Sequence, residues 1–132
     1  MNPYTFQRFA NEPVLLCILH ADYTITQHAP QCHSDGSALL DAENSPISVI
    51  MDFRATIESV ENAVAGALSV SQADEPIWQH HNARNVIVVT NDPTLRMAFE
   101  SLNSEPFGYT DIKLAETLKE ALAFTQPEII PV

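Results

Sequence analysis

Three short apolar runs in this chain each end in a polar residue and hand over to an amphipathic helical pattern. They are Ile47-Ser-Val-Ile-Met-Asp52, Asn85-Val-Ile-Val-Val-Thr90 and Asp111-Ile-Lys-Leu114. The first two lack apolar-polar alternation, as strands covered on both faces do. Parallel strands need long crossover connections, which helices usually supply. The rhythm therefore predicts an α/β fold with three parallel strands and helical crossovers.

Helix-start signals follow each run. Thr56 is placed to cap a helix with Glu58 in its first turn, and Ile57, Val60, Val64, Ala67 and Leu68 recur at helical spacing. Asp92 followed by Pro93 reads as an N-cap and first helical residue, with Leu95, Ala98, Phe99 and Leu102 as the buried face. Thr117-Leu-Lys-Glu120 has the spacing of a capping box, with Leu118, Ala121, Leu122 and Phe124 turned inward.

Upstream, Val14 to Leu19 reads as a strand and Tyr23-Thr-Ile-Thr26 as a second. The short link between them predicts an antiparallel hairpin. Residues 1–12 read as an arm that is loose or lays Tyr4, Phe6 and Phe9 on the domain or a neighbouring subunit. Turn residues dominate 27–46, predicting a loop with a short helix. Residues 126–132, with two prolines, read as a tail. The expected whole is one α/β domain over 1–132, with a mixed sheet of about five strands.

Seventeen acidic residues against six basic give a net charge of −11. Phosphate neutralisation needs clustered Lys and Arg, so neither a nucleic acid nor an anionic membrane is an expected partner. No apolar run approaches the roughly 20 residues that span a bilayer. The N-terminus lacks the basic start and apolar stretch of a signal peptide, so a cytoplasmic address is expected.

Cys17, inside an apolar run, reads as a small buried hydrophobe, and Cys32 as a loop residue beside His33 and four positions after His28. That trio would need help from His80 and His81 to complete a metal shell, so no metal is expected. The three glycines, Gly36, Gly66 and Gly108, form no phosphate cradle, and no Gly-x-Ser-x-Gly elbow is present. No cofactor and no catalysis are expected.

Open α/β sheets bind ligands at the carboxyl ends of their strands. That position makes Asp52, Arg54, Thr90 and Asn91 the candidate binding residues. Each of the strand-end charges has a structural rival role: Asp52 can bond loop backbone, Asp92 can cap, and Arg54 can pair with a carboxylate. Asp52, Thr90 and Lys113 also fall at or near three successive strand ends, as the phosphoacceptor Asp, hydroxyl and Lys of receiver domains do. Receivers hold magnesium with an acidic pair after their first strand, and Leu19-His-Ala-Asp22 offers one acid. A receiver-like phosphoacceptor is the alternative reading.

Three stretches resemble STAS-like domains, the fold of bacterial anti-sigma-factor antagonists, in their broad SEC14-associated branch. The strand ending Asp52-Phe53-Arg54, the stretch His81 to Thr90, and the C-terminal Ile112 to Phe124 with its Thr-Leu-Lys-Glu-Ala-Leu helix carry the likeness. The resemblance implies a non-catalytic regulatory or protein-binding module whose protein partner is unknown, with a homodimer as one form. The SEC14 association adds a small apolar-ligand carrier as a further alternative. Regulatory antagonists carry a phosphorylatable Asp-Ser-x-Gly turn after the central strand. Here the chain reads Asp52-Phe-Arg-Ala-Thr-Ile-Glu-Ser-Val, where Thr56 and Ser59 are the only local hydroxyls. They are the candidate phosphorylation sites, and both read more naturally as helix-start residues.

Overall fold

The computed structural model describes residues 3–10, 12–56, 77–102 and 112–125. In chain order these form β1 (Tyr4–Arg8), β2 (Val14–Leu19), α1 (Ile25–Asp41), β3 (Ile47–Asp52), a 3-10 turn (Ile77–Gln79), β4 (Ala83–Val89), α2 (Pro93–Leu102), β5 (Ile112–Ala115) and α3 (Leu118–Phe124). The helix expected from Thr56 onward lies outside the described residues, as do the 126–132 tail and Ser59.

The five strands lie in one sheet in the order β1-β2-β3-β4-β5. β1 is antiparallel to β2 and the others are parallel. The mixed sheet with an N-terminal antiparallel pair is the expected architecture, but the pair has a different membership. Tyr23 to Thr26 is not a strand: Thr24 is the N-cap of α1 and Ile25 begins it. The partner of β2 comes from the expected arm instead, with Phe6 beside Cys17. Tyr4 and Phe6 pack on the protein's own core, while Thr5, Gln7 and Arg8 are exposed.

Each parallel connection steps one strand in the same direction. Right-handed crossovers of that kind put their helices on one face of the sheet. Packing agrees: Ala29, Cys32 and Leu40 of α1 and Leu95, Ala98 and Phe99 of α2 share a core with Leu15, Cys17, Val49, Met51, Val86 and Val88. Ala121 of α3 packs on the opposite face against Val14, Leu16, Ile50, Ile87 and Val89. β3 is therefore buried at all six positions.

The caps form as expected. Asp92 Oδ1 accepts the Thr94 N–H at 2.9 Å, and Thr117 Oγ1 accepts the Glu120 N–H at 3.1 Å. The Glu120 carboxylate reaches back to the N–H of Glu116, one residue before the cap. Phe124 is 39% exposed, not inward, because α3 ends there. A bulge in β4 holds that end: Ile47 pairs with Ala83 and Ser48 with Asn85, leaving Arg84 as the extra residue. Asn85 donates to the Phe124 carbonyl at 3.0 Å, and Arg84 donates to Thr125 O at 2.7 Å and Ser48 Oγ at 3.0 Å. The last carbonyls of a helix have no intrahelical donor, and these two side chains supply donors.

Where a loop with a short helix was expected, α1 is 17 residues long and contains Pro30 and Gly36. Its buried positions are Ala29, Cys32, His33, Gly36 and Leu40, a helical stripe made chiefly of small or polar residues. Gly36 sets the approach of helix to sheet. A Cβ there would lie 2.5 Å from Ile77 Cδ1 and 3.2 Å from Phe6 Cζ. In Gly36→Ala, the helix gains about 1 kcal/mol of propensity, which offsets displacing the end of the flexible Ile77 side chain. Its stability should therefore stay close to that of the wild type. Gly36→Leu has no such escape and should cost about 2–3 kcal/mol through overpacking. Urea unfolding of both variants checks the contrast, and equal losses would refute the close-approach account.

Candidate functional site

Asp52 is the last residue of β3, and its side chain points to the same face as Ile50 and Val89. The chain turns immediately afterwards, so Arg54 folds back on it. Arg54 Nε donates to Asp52 Oδ1 at 2.9 Å, Nη2 donates to Oδ2 at 2.8 Å, and the Arg54 backbone N–H adds a bond to Oδ1 at 3.1 Å. The Asp52 side chain is 9% exposed and that of Arg54 is 43% exposed. Burial works against the ionised carboxyl. The Arg54 hydrogen bonds and charge outweigh it, so Asp52 titrates below the usual carboxylate range. Arg54 is held even more firmly in its charged form by the same contacts.

Asp52 and Arg54 are therefore each other's structural partners. The pairing uses Nε and one Nη2 proton, and a planar guanidinium has five N–H donors. The remaining donors face away from the Asp52 fork with no hydrogen-bond partner among the described residues.

Thr90 closes the end of β4. It is fully buried, its N–H donates to Ala115 O at 3.0 Å, and its hydroxyl oxygen accepts the Asp92 N–H at 3.1 Å. Asp92 in turn caps α2, so Thr90 and Asp92 together shape the β4–α2 turn. Asn91, between them, is exposed. Thr56 is 3% exposed and donates its hydroxyl proton to Phe53 O at 2.9 Å. That hydroxyl serves the turn after β3 and is a poor target for a phosphoryl donor.

These turns border one cleft of about 310 Å³, lined by Phe53, Arg54, Thr56, Thr90, Asn91 and Asp92. Three of the four candidate binding residues line it directly, and Asp52 supports it from beneath through Arg54. Phe53 and Asp92, which the same strand-end position picks out, belong to the lining as well. Five of the six lining residues are polar or charged.

The receiver-like trio is not assembled. Lys113 pairs with Ile87, mid-strand, and its Nζ sits 6.0 Å from the centroid of the Phe124 ring. Phe124 ends α3 beside Arg84 and Asn85, at the amino edge of β4. Asp52 lies at the carboxyl edge with its oxygens bonded to Arg54.

The histidine and cysteine cluster is also dispersed by its bonds. His28 Nδ1 accepts the Thr24 N–H at 2.9 Å, and His33 Nδ1 accepts the Ile77 N–H at 2.9 Å. Cys32 faces Cys17 across the core. His80 accepts the Asn82 N–H on Nδ1, which puts its proton on Nε2, 2.7 Å from Asp41 Oδ1. No group of three potential metal ligands occurs among the described residues.

The architecture has a solved counterpart. An uncharacterized protein from the DUF3478 family with a SpoIIAA-like fold, from Shewanella loihica, matches with a TM-score of 0.55 over 93% of this chain and 92% of that one. The fold is SpoIIAA-like. Sequence identity is 16%, so the likeness concerns the fold alone. Neither a protein-family model nor a curated protein matches the sequence. The SpoIIAA-like fold is that of the STAS-like domains which the Asp52 strand and the C-terminal helix resemble. No helix among the described residues is long and apolar enough to cross a membrane.

Proposed function

We propose that this chain is a non-catalytic, regulatory protein-binding module, and that the carboxyl edge of its sheet is the face it offers a partner. One observation carries the reading. At this edge Asp52 is held in the Arg54 fork and Asp92 in the α2 cap, while Arg54 keeps donors unused among the described residues, beside the exposed Asn91. A rigid rim of that kind suits recognition, where fixed donors read a partner's surface, and both Asp52 and Asp92 are committed to other bonds.

Capture from native-host lysate with the immobilised full chain tests this, read by quantitative mass spectrometry. Asn91→Arg puts bulk on the rim without touching the core, and should reduce recovery of the partner at least tenfold. Ser34→Arg, on the exposed side of α1, should leave recovery unchanged. Equal recovery by wild type and Asn91→Arg would place the contact elsewhere.

A further inference from the structure

Cys17 and Cys32 are set face to face across the β2–α1 interface, with Sγ atoms 3.7 Å apart and both thiols free. They are 0% and 1% exposed. Bond formation needs about 2.05 Å between sulfurs, so the gap to be closed is smaller than a typical side-chain rotamer shift. Two small apolar residues would fill the same space without placing sulfur against sulfur.

The cover over this pair is thin. β2 is only one strand in from the sheet edge, and the strand outside it is β1. Phe6 of β1 lies beside Cys17 in register, and its ring also abuts Gly36, one helical turn beyond Cys32. Tyr4, from the same strand, donates its hydroxyl to Asp35 of α1. Terminal edge strands open more readily than central ones, and opening of β1 uncovers the thiols to a small oxidant.

We propose that Cys17 and Cys32 form a reversible oxidation site, closed to an intramolecular disulfide by a peroxide. The Cys17 thiol keeps its proton at neutral pH, because its hydrogen bond to Cys32 and its burial both push its titration upward. Cys32, on the helix that Phe6 and Tyr4 of β1 cover, is assigned as the sulfur that reacts first. Its thiolate attacks one peroxide oxygen, the O–O bond breaks, and Cys32 becomes a sulfenic acid as hydroxide leaves and takes up a proton. Cys17 then attacks the Cys32 sulfur. The S–O bond breaks, the S–S bond forms, and the released hydroxide carries off the Cys17 proton as water. Each disulfide consumes one peroxide and yields two waters; a dithiol restores both thiols. The product would tie the middle of α1 to β2 and leave Asp52, Arg54 and Asn91 untouched.

Native full-length protein treated with a small excess of hydrogen peroxide tests the assignment by intact mass and by thiol titration after denaturation. The expected result is loss of two hydrogens with both thiols vanishing together, full reversal by dithiothreitol, and a higher melting temperature for the oxidised form. Cys17→Ala should stop at a sulfenic acid on Cys32 that dimedone traps, and Phe6→Ala should speed wild-type closure several-fold. Two outcomes would overturn the proposal. One is persistence of both thiols in the folded protein under peroxide that oxidises the urea-unfolded chain. The other is stepwise oxygen addition in place of hydrogen loss.

Discussion

Asn82→Ala should lower the unfolding free energy by about 1–3 kcal/mol, the range for a buried polar group that loses its partner. Asn82 is 8% exposed, and its Nδ2 donates to Leu40 O at 2.9 Å and Glu43 O at 3.1 Å. Those carbonyls lie at and just beyond the end of α1; Leu40 O also accepts the Glu43 N–H at 3.0 Å, whereas Glu43 O takes its bond from the Asn82 amide. One side chain, anchored at the start of β4, thus finishes a helix some forty residues earlier in the chain. Alanine removes both donors and leaves a void. Asn82→Asp should be worse, because it turns two acceptors against a third. Urea unfolding curves supply the order: wild type, then Ala, then Asp. An Asp variant more stable than Ala would refute the donor account, since only a role in volume filling would favour it.

Acid should destabilise the protein well above the pH at which carboxylates titrate, through His33. Burial lowers this imidazole to about 4 from an ordinary value near 6.5. Its Nδ1 is also committed to the Ile77 N–H, and a protonated ring cannot accept that bond. The folded value is the depressed one, so the unfolded chain takes up the proton first. Stability from this group is complete above pH 6.5 and is lost as pH falls through about 4, on the order of 3 kcal/mol in all. Asp52 is depressed below the usual carboxylate value by Arg54, so its contribution disappears lower still. Melting temperature followed between pH 7 and pH 4 should therefore fall in the wild type. In His33→Asn, whose Oδ1 accepts the same N–H without titrating, that part of the profile should flatten. A wild-type profile that is flat over this interval would contradict the assignment.

The difference between what the sequence reveals and what it conceals follows from how each element is stabilised. β3 and β4 are buried on both faces and must be continuously apolar, so Ile47 to Asp52 and Val86 to Val89 were legible. Local capping chemistry made the starts of α2 and α3 legible at Asp92 and Thr117. α1 was not, because its buried stripe is Ala29, Cys32, His33, Gly36 and Leu40 instead of large aliphatics, and Pro30 and Gly36 imitate loop punctuation. In β1 the alternation Tyr4-Thr5-Phe6-Gln7 was visible, but nothing local tells an edge strand from an arm. At the site, strand-end position alone located Asp52, Arg54, Thr90 and Asn91. Their bonding was hidden, since the Arg54 fork depends on a turn, and Lys113 depends on register with Ile87.

The neighbour-by-neighbour strand order also bears on synthesis. Among the described residues, each strand after β1 pairs with the one emitted just before it, and none must wedge between two that have already met. The sheet can thus grow at a single advancing edge as the chain leaves the ribosome, with β1 and β2 as its seed. Until β5 docks, that advancing edge is a strand whose outer hydrogen-bonding groups await a partner, so the nascent protein is most vulnerable to wrong pairing late in its emergence.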